Sequence, residues 1–327
     1  MPPGGALPDP GDASPFGDRL ARAVAARDSQ IVLGIDPDPA RLWPDAVDAH
    51  AESRARLVTA LADAERSAAL DHGKGGREVR LDAAAAVLGH CLALIDAAGP
   101  ACVAVKPQLA CFERLGFAGW LALEATVAHA AASGLLVLAD GKRGDIASTA
   151  AAYGEALFDG LGADAATANP LLGADALAPL ADAARAHGGG LFVLVRTSNP
   201  GAADLFDLEL AEGGPLWERI ARTVAAAGTP GPASGLTEIG AVTGATAPEH
   251  LVRMRELMPA TPFLLPGVGA QGGSVADLAP AFAPGRAGGL VAASRSIAGA
   301  HATAGGDPAD AARAEAERLR DQAWALV

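Results

Sequence analysis

Short runs of Val, Leu, Ile and Ala recur along the chain, each closing on a polar or Gly/Pro cluster and each followed by an Ala-rich stretch of helical character. They are IVLGID ending at Asp36, ACVAVK ending at Lys106, LLVLAD ending at Asp140, DAATAN ending at Asn169, GLFVLVRTS over 190–198, LTEIGAV over 236–242, TPFLLPG over 261–267 and GGLVAAS over 288–294. Near-continuous apolar runs suit parallel strands buried on both faces, whereas half-exposed antiparallel strands would alternate. Eight strands alternating with helices is the count of a (β/α)8 barrel. An open doubly wound sheet is the structural alternative, but it would gather its polar residues at one switch point. Here they stand at the C-terminal ends of most runs, where a barrel carries its loops and its chemistry. The pattern predicts an α/β protein, a (β/α)8 barrel of parallel strands with an insertion after the first.

The spacing of the runs places that insertion. From Pro37 to about Pro100 the connection is far longer than one crossover helix needs, which predicts at least two helices and an inserted segment near 63–82. Its Gly-rich centre, DHGKGGRE, holds His72 and Lys74, which read as solvated. Residues 1–15 read as a disordered Pro/Gly-rich leader, leaving 16–327 as a single barrel domain. TPGPASG over 229–235 reads as a linker before the sixth strand. From Pro308 to Val327 the spacing of Ala312, Ala316, Leu319 and Trp324 predicts an amphipathic closing helix.

Composition agrees with one large core. The chain has 327 residues, 50% of them hydrophobic but only 4% aromatic, so aliphatic side chains must do most of the packing. A net charge of −13 argues against nucleic-acid partners and against an anionic membrane surface, while leaving room for one phosphorylated metabolite at a local basic site. No run reaches the ~20 apolar residues of a membrane span, and the first residues lack the basic and apolar regions of a signal peptide. Cys91, Cys102 and Cys111 are odd in number, form no CxxC pair and sit in apolar surroundings. They read as buried free thiols of a reducing, cytoplasmic compartment.

The most specific chemical signal is DGKRGD, which sets Asp140, Lys142 and Asp145 in a DxKxxD spacing directly after an apolar run. Lysine occurs only at 74, 106 and 142 among 25 Lys and Arg residues, and two of the three stand at strand ends. Where arginine would supply an ordinary surface charge, a retained lysine offers a compact ammonium whose pKa can shift and which can give up a proton. Residues two apart in an extended segment point the same way, so Asp140 and Lys142 are expected to share one side. A structural salt-bridge network at the barrel mouth is the plainer reading of these charges. Asp36 equally suits a turn before Pro37, and Ser198 in TSNPG equally suits an ordinary loop.

Taken in order, IDPDP, VKPQLACFE, LADGKRGDIAST, VRTSNPGA, PGVGAQGG and ASRSI resemble the orotidine 5'-monophosphate decarboxylase family, in its bacterial type with KRGDI after the third strand. The resemblance runs from about residue 31 to 299. It implies a cofactor-free, metal-free carboxy-lyase that converts orotidylate to uridylate and carbon dioxide in pyrimidine synthesis, acting as a homodimer. Carried over by motif, Lys142 corresponds to the proton donor and Asp140 to the carboxylate beside the departing group, with Lys106 and Asp145 completing an alternating charge array. Asp145 and Thr149 correspond to residues that reach the neighbouring subunit's site, Thr149 towards the ribose. Asp36 and Lys106 correspond to ribose contacts, Ser198 to the reader of the pyrimidine amide edge, and Gln271 and Arg295 to the phosphate site.

Two departures accompany the resemblance. Gly141 stands where a side chain such as Ala is expected, which would loosen the loop, and the segment near 63–82 is longer than the family requires. Three other functions remain open on the sequence. Magnesium-dependent keto-gulonate phosphate decarboxylases and hexulose phosphate synthases share DxKxxD but place an acidic ligand where Lys106 stands. A Schiff-base aldolase would use a strand-end lysine against a carbonyl. A nucleotide-binding barrel would hold uridylate without turnover.

Overall fold

The computed structural model describes residues 14–44, 46, 50–68, 78–269 and 272–327. Eight parallel strands close into a barrel in chain order: β1 Ile31–Ile35, β2 Ala104–Pro107, β3 Leu136–Arg143, β4 Ala165–Ala168, β5 Gly190–Arg196, β6 Ile239–Thr243, β7 Phe263–Pro266 and β8 Gly289–Ala293. β1 pairs with β8 to complete the ring. Every strand overlaps its predicted run. β2 starts later than expected because Gly99–Ala101 forms a 3-10 turn. β6 starts at Ile239, and the backbone before it bonds to loops on either side of the strand, Leu236 accepting from Gly231 and Thr237 donating to Ala260.

Strand parity divides the aliphatic side chains between two cores. Val32, Ala104, Leu136, Leu138, Phe192 and Leu290 fill the barrel interior. Their neighbours Ile31, Leu33, Val105, Val137, Leu191 and Val291 point outward, into the layer between sheet and helices. Few aromatics are available, and two of them plug the floor. Helix Phe16–Arg27, absent from the sequence reading, sends Phe16, Leu20 and Val24 into the interior cluster. Phe16 meets Phe192 edge to face at 6.0 Å. Glycine makes the space: a Cβ at Gly190 would lie 2.4 Å from the Phe16 ring, and one at Gly240 would lie 2.4 Å from Phe192. Asp18 ties this helix to the 229–235 linker by accepting from the amides of Ser234 (2.7 Å) and Ala233 (3.3 Å).

Arginine serves the same end of the barrel as a staple for backbone carbonyls. Arg27 donates to the carbonyls of Gly99, Cys102, Ser133 and Gly134, in the loops leading into β2 and β3. Arg255, buried over the face of Phe263 with 3.7 Å between guanidinium carbon and ring centroid, does so for the loops leading into β7 and β8. It donates to the carbonyls of Met258, Thr261, Ala281 and Gly288. Burial without a carboxylate lowers its pKa to about 9.

Among its described residues the long first connection includes the helices Ala51–Ala68 and Glu78–Ala98, in line with the expectation of at least two. Residues 69–77, with His72 and Lys74, lie outside the described residues, as do residues 1–13 of the leader segment. One expectation is corrected: Leu81–Ala101 has the length and mean hydropathy (1.6) of a membrane span. Alanines supply much of that length, and most of the segment is buried inside the protein. Among the described residues it is the one such segment, and it is a core helix. Cys91 and Cys102 are buried free thiols, the latter pushed up to about 12 by burial, whereas Cys111 is only half-buried. The closing helix spans Pro308–Trp324, capped by Asp307, which accepts from the amides of Ala309 and Asp310. It buries Ala312, Ala316, Leu319 and Ala323; Trp324 is instead half-buried, with Arg286 stacked over its ring.

Trp43 seats the start of the long connection. Its amide donates to Nδ1 of His90 (3.2 Å), its ring meets that imidazole edge to face at 5.1 Å, and its indole N–H donates to the Ala298 carbonyl (2.8 Å). Burial, helped by nearby His301, pushes the His90 pKa from 6.5 down to about 4. The unfolded chain then takes up a proton that the folded chain refuses, so stability falls as pH drops from 6.5 towards 4. Between pH 7 and pH 5 this contributes roughly 2 kcal/mol of lost stability. His90→Gln keeps an acceptor for the Trp43 amide and removes the titration. Denaturant unfolding at the two pH values should show a loss smaller by about 2 kcal/mol in the variant, and equal losses would contradict a neutral buried His90.

Candidate active site

The parity that fills the floor also builds the mouth. Beyond Val32 on the inward side come Gly34 and Asp36; beyond Ala104, Lys106 and Gln108; beyond Leu138, Asp140; beyond Ala165, Thr167. These residues line a cavity of about 380 Å³ at the C-terminal ends of the strands. Thr197, Ser198 and Asn199 after β5 and Ser294 and Arg295 after β8 form its rim, with Val242, Leu264, Pro266 and Ala292 as an apolar wall. Gly34 allows the close approach of β1 to the end of β8, since a Cβ there would stand 2.5 Å from that of Ser294.

Asp140 is the centre of the site. It is 4% exposed, and both oxygens are saturated. Oδ2 accepts from the Lys106 ammonium at 2.5 Å and from the Gln108 amide at 3.3 Å. Oδ1 accepts from the Lys142 ammonium at 2.5 Å and from the Thr167 hydroxyl at 2.9 Å. Burial alone would raise the Asp140 pKa, but the two ammonium groups outweigh it and bring it down to about 2. The reciprocal balance holds for Lys106: burial would discharge it, yet Asp140, and Asp36 behind it, leave its pKa above the ordinary 10.5. A carboxylate and an ammonium are thus both charged where neither would be so alone.

Asp140 and Lys142 do share a side, but simple alternation does not bring them there. Pairing between β3 and β4 passes from Ala139↔Ala166 to Arg143↔Ala168, so four steps along β3 match two along β4. Within this bulge Lys142 has φ 46°, a left-handed conformation rare for a lysine, and its amide donates to Thr167 Oγ1 at 2.9 Å. Gly141 between them faces outward. A Cβ there would stand 2.7 Å from Leu109 Cδ1 and 3.1 Å from Arg143 Nε, while Arg143 is held by an ion pair with Glu113 and lies over the Tyr153 ring. The glycine leaves Leu109 and Arg143 the space that a side chain would take.

Of the nine residues singled out in the sequence, Asp36, Lys106, Asp140, Lys142, Ser198 and Arg295 line this one cavity. Asp145 and Thr149 do not. Asp145 accepts from the Ile146 amide, and Thr149 and the intervening Ile146 are exposed. Gln271 lies outside the described residues. The turn that leads to it is tight, with Gly269 at φ 74° and the Gly273 amide donating to the Gly267 carbonyl. Arg295 is exposed at the start of a four-residue helix, Arg295–Ala298. Sequence reasoning missed Gln108 and Thr167, whose signal was available: each continues the inward parity of its strand by two residues. Thr197 and Asn199, joined by a 2.6 Å hydrogen bond beside Ser198, carried no signal beyond a polar loop.

Two ammonium groups around one carboxylate, under a polar rim with an arginine, suit an anionic small molecule whose reaction develops negative charge and consumes a proton. Fold and cavity together define a (β/α)8-barrel enzyme with a lysine–aspartate centre for such a substrate. Residues 67–314 match the family model described as orotidine 5'-phosphate decarboxylase / HUMPS family. Among its relatives, the orotidine 5'-phosphate decarboxylase of Deinococcus radiodurans is 47% identical over 234 residues, covering 71% of this chain and 82% of that protein. That of Roseiflexus castenholzii is 36% identical over 307 residues, covering 94% and 96%. Solved structures agree: the Leishmania donovani OMP decarboxylase matches at TM-score 0.67 and 30% identity, over 95% of this chain and 98% of its own. A Streptomyces avermitilis crystal structure matches at TM-score 0.73 and 33% identity over 96% of both chains. This chain belongs to the orotidine 5'-phosphate decarboxylase / HUMPS family.

Proposed function

We propose that Lys142 and Asp140 carry out the decarboxylation, with Lys106 and Asp145 completing the charge array, and that no metal or organic cofactor takes part. The activity itself is that of a carboxy-lyase, orotidine 5'-phosphate decarboxylase, in pyrimidine synthesis. The bond from C6 of the pyrimidine to its carboxylate breaks, carbon dioxide leaves, and the electron pair stays on C6 in an orbital out of conjugation with the ring carbonyls. Lys142 Nζ stabilises that pair and then transfers its proton to C6, giving uridylate. Asp140 stands beside the departing carboxylate and orients Lys142, so that fixed charges replace the solvent reorganisation the reaction would need in water. One observation carries this reading: the Asp140 carboxylate is held between the Lys106 and Lys142 ammonium groups at 2.5 Å each, inside the cavity. The same ammonium at position 106 opposes a divalent cation at that place.

The remaining residues take the substrate's other parts. Asp36 and Lys106 contact the ribose hydroxyls, Ser198 reads the pyrimidine amide edge, and Arg295 with Gln271 receives the phosphate. The chain acts as a homodimer in which Asp145 and Thr149 enter the partner's site, a reading supported by their place outside the cavity lining with the exposed Ile146 between them in the chain. KRGDI supports the bacterial type, and three cysteines without a disulfide support a reducing, cytoplasmic setting.

Purified protein with a chelator present should consume orotidylate, followed by its ultraviolet absorbance. Lys142→Ala should lower kcat by about 10³-fold or more while uridylate binding persists, and Arg295→Ala should act mainly on KM. Turnover retained in Lys142→Ala, or lost to the chelator in the wild type, would contradict the mechanism. The shared site has its own test, in which the inactive variants Lys142→Ala and Asp145→Ala are mixed and allowed to exchange subunits. If Asp145 acts across the interface, mixed dimers regain one intact site and the mixture recovers roughly a quarter of wild-type activity. No recovery despite subunit exchange would place Asp145 in its own protomer's site.

A further inference from the structure

We infer that Thr167 is a positioning residue for this reaction: its hydroxyl locks the Lys142 backbone and the Asp140 carboxylate into one arrangement. This rests on the assignment of Lys142 as proton donor. Thr167 is 1% exposed and lines the cavity from β4. Its oxygen accepts from the Lys142 amide at 2.9 Å, so its single hydrogen is free for Asp140 Oδ1, also at 2.9 Å. Those two bonds meet where the ladder between β3 and β4 is interrupted. Ladder pairing skips the residues between Ala139 and Arg143, so the Lys142 amide has Thr167 in place of a strand partner. Lys142 also adopts φ 46°, which a side-chain-bearing residue keeps only when its surroundings impose it.

The hydroxyl also sorts the donors on Asp140. Thr167 and Lys142 occupy Oδ1, and Lys106 and Gln108 occupy Oδ2, which fixes the rotation of the carboxylate and hence the direction in which the Lys142 ammonium projects. The other β4 side chains, Ala165, Ala166 and Ala168, have no polar atom to serve instead. Valine matches threonine in shape, but it would leave the Lys142 amide without its acceptor and Asp140 with one donor fewer.

Thr167→Val, with steady-state kinetics on orotidylate and uridylate binding as separate readouts, tests the inference. Misplacement of a proton donor by about 1 Å costs on the order of 100-fold, so kcat should fall by about that factor. KM for orotidylate and the Kd for uridylate should stay within about threefold, because the binding residues are untouched. Thr167→Ser restores the hydroxyl without the methyl and should recover kcat to within about fivefold of wild type. Wild-type kcat in the valine variant, or a serine variant as impaired as the valine, would overturn the inference, as would a change confined to KM. If Thr167→Val does not fold, Thr167→Cys, with its weakly bonding thiol, carries the same expectation for kcat. Lys142→Ala measured alongside separates the two levels. If it remains active, the proton-donor assignment fails; if it is inactive while Thr167→Val resembles wild type, only the positioning role falls.

Discussion

A carboxylate that is 4% exposed can stay ionised only if its lost hydration is replaced, and at Asp140 two ammonium groups, an amide and a hydroxyl replace it. The dependence is mutual. Lys106 is buried too, and burial would work to discharge it without the aspartate. Removing one member of such a set leaves its partners charged in a poor solvent, which is why buried ion groups stand or fall together. The cluster is therefore a weak source of stability and a strong source of geometry. Its charges are in place before substrate arrives, and the protein has met the cost of arranging them during folding.

The barrel makes that arrangement possible by a simple rule. Side chains alternate along each strand, so the positions that pack the interior lead by steps of two to positions that face the mouth. Val32 gives way to Gly34 and Asp36, and Ala104 to Lys106 and Gln108. At β3 the rule bends, because the bulge puts Lys142 into a left-handed backbone to bring its ammonium back onto Asp140. The opposite end is built for closure. Phe16 and Phe192 fill the floor against glycines, and Arg27 and Arg255 each gather several loop carbonyls onto one guanidinium.

Much of this was legible in the sequence. All eight strands could be read from apolar runs, and two of the chain's three lysines, Lys106 and Lys142, stood at strand ends that prove to line the cavity. Helix Phe16–Arg27 is marked only by Phe16, Leu20 and Val24 recurring every fourth residue, a short stripe whose burial depends on the barrel floor that it closes. Strand parity reports that Thr167 faces inward, but its bond to the Lys142 amide depends on a bulge in the neighbouring strand that no local pattern encodes. The packing around Gly141 was hidden for the same reason, since Leu109 and Arg143 meet it only in three dimensions. Local periodicity reports the strands and their facing; contacts between strands decide the geometry at their ends.

With only three lysines in the chain, nitrogen-15 labelling of lysine gives a spectrum in which each ammonium can be assigned by substitution and followed through pH. The Lys106 ammonium in the wild type should titrate above 10.5, and in Asp140→Asn its pKa should fall, as burial then acts with less to oppose it. A Lys106 that titrates below 10.5 in the wild type, or that is indifferent to the loss of the Asp140 charge, would contradict the mutual dependence on which the site rests.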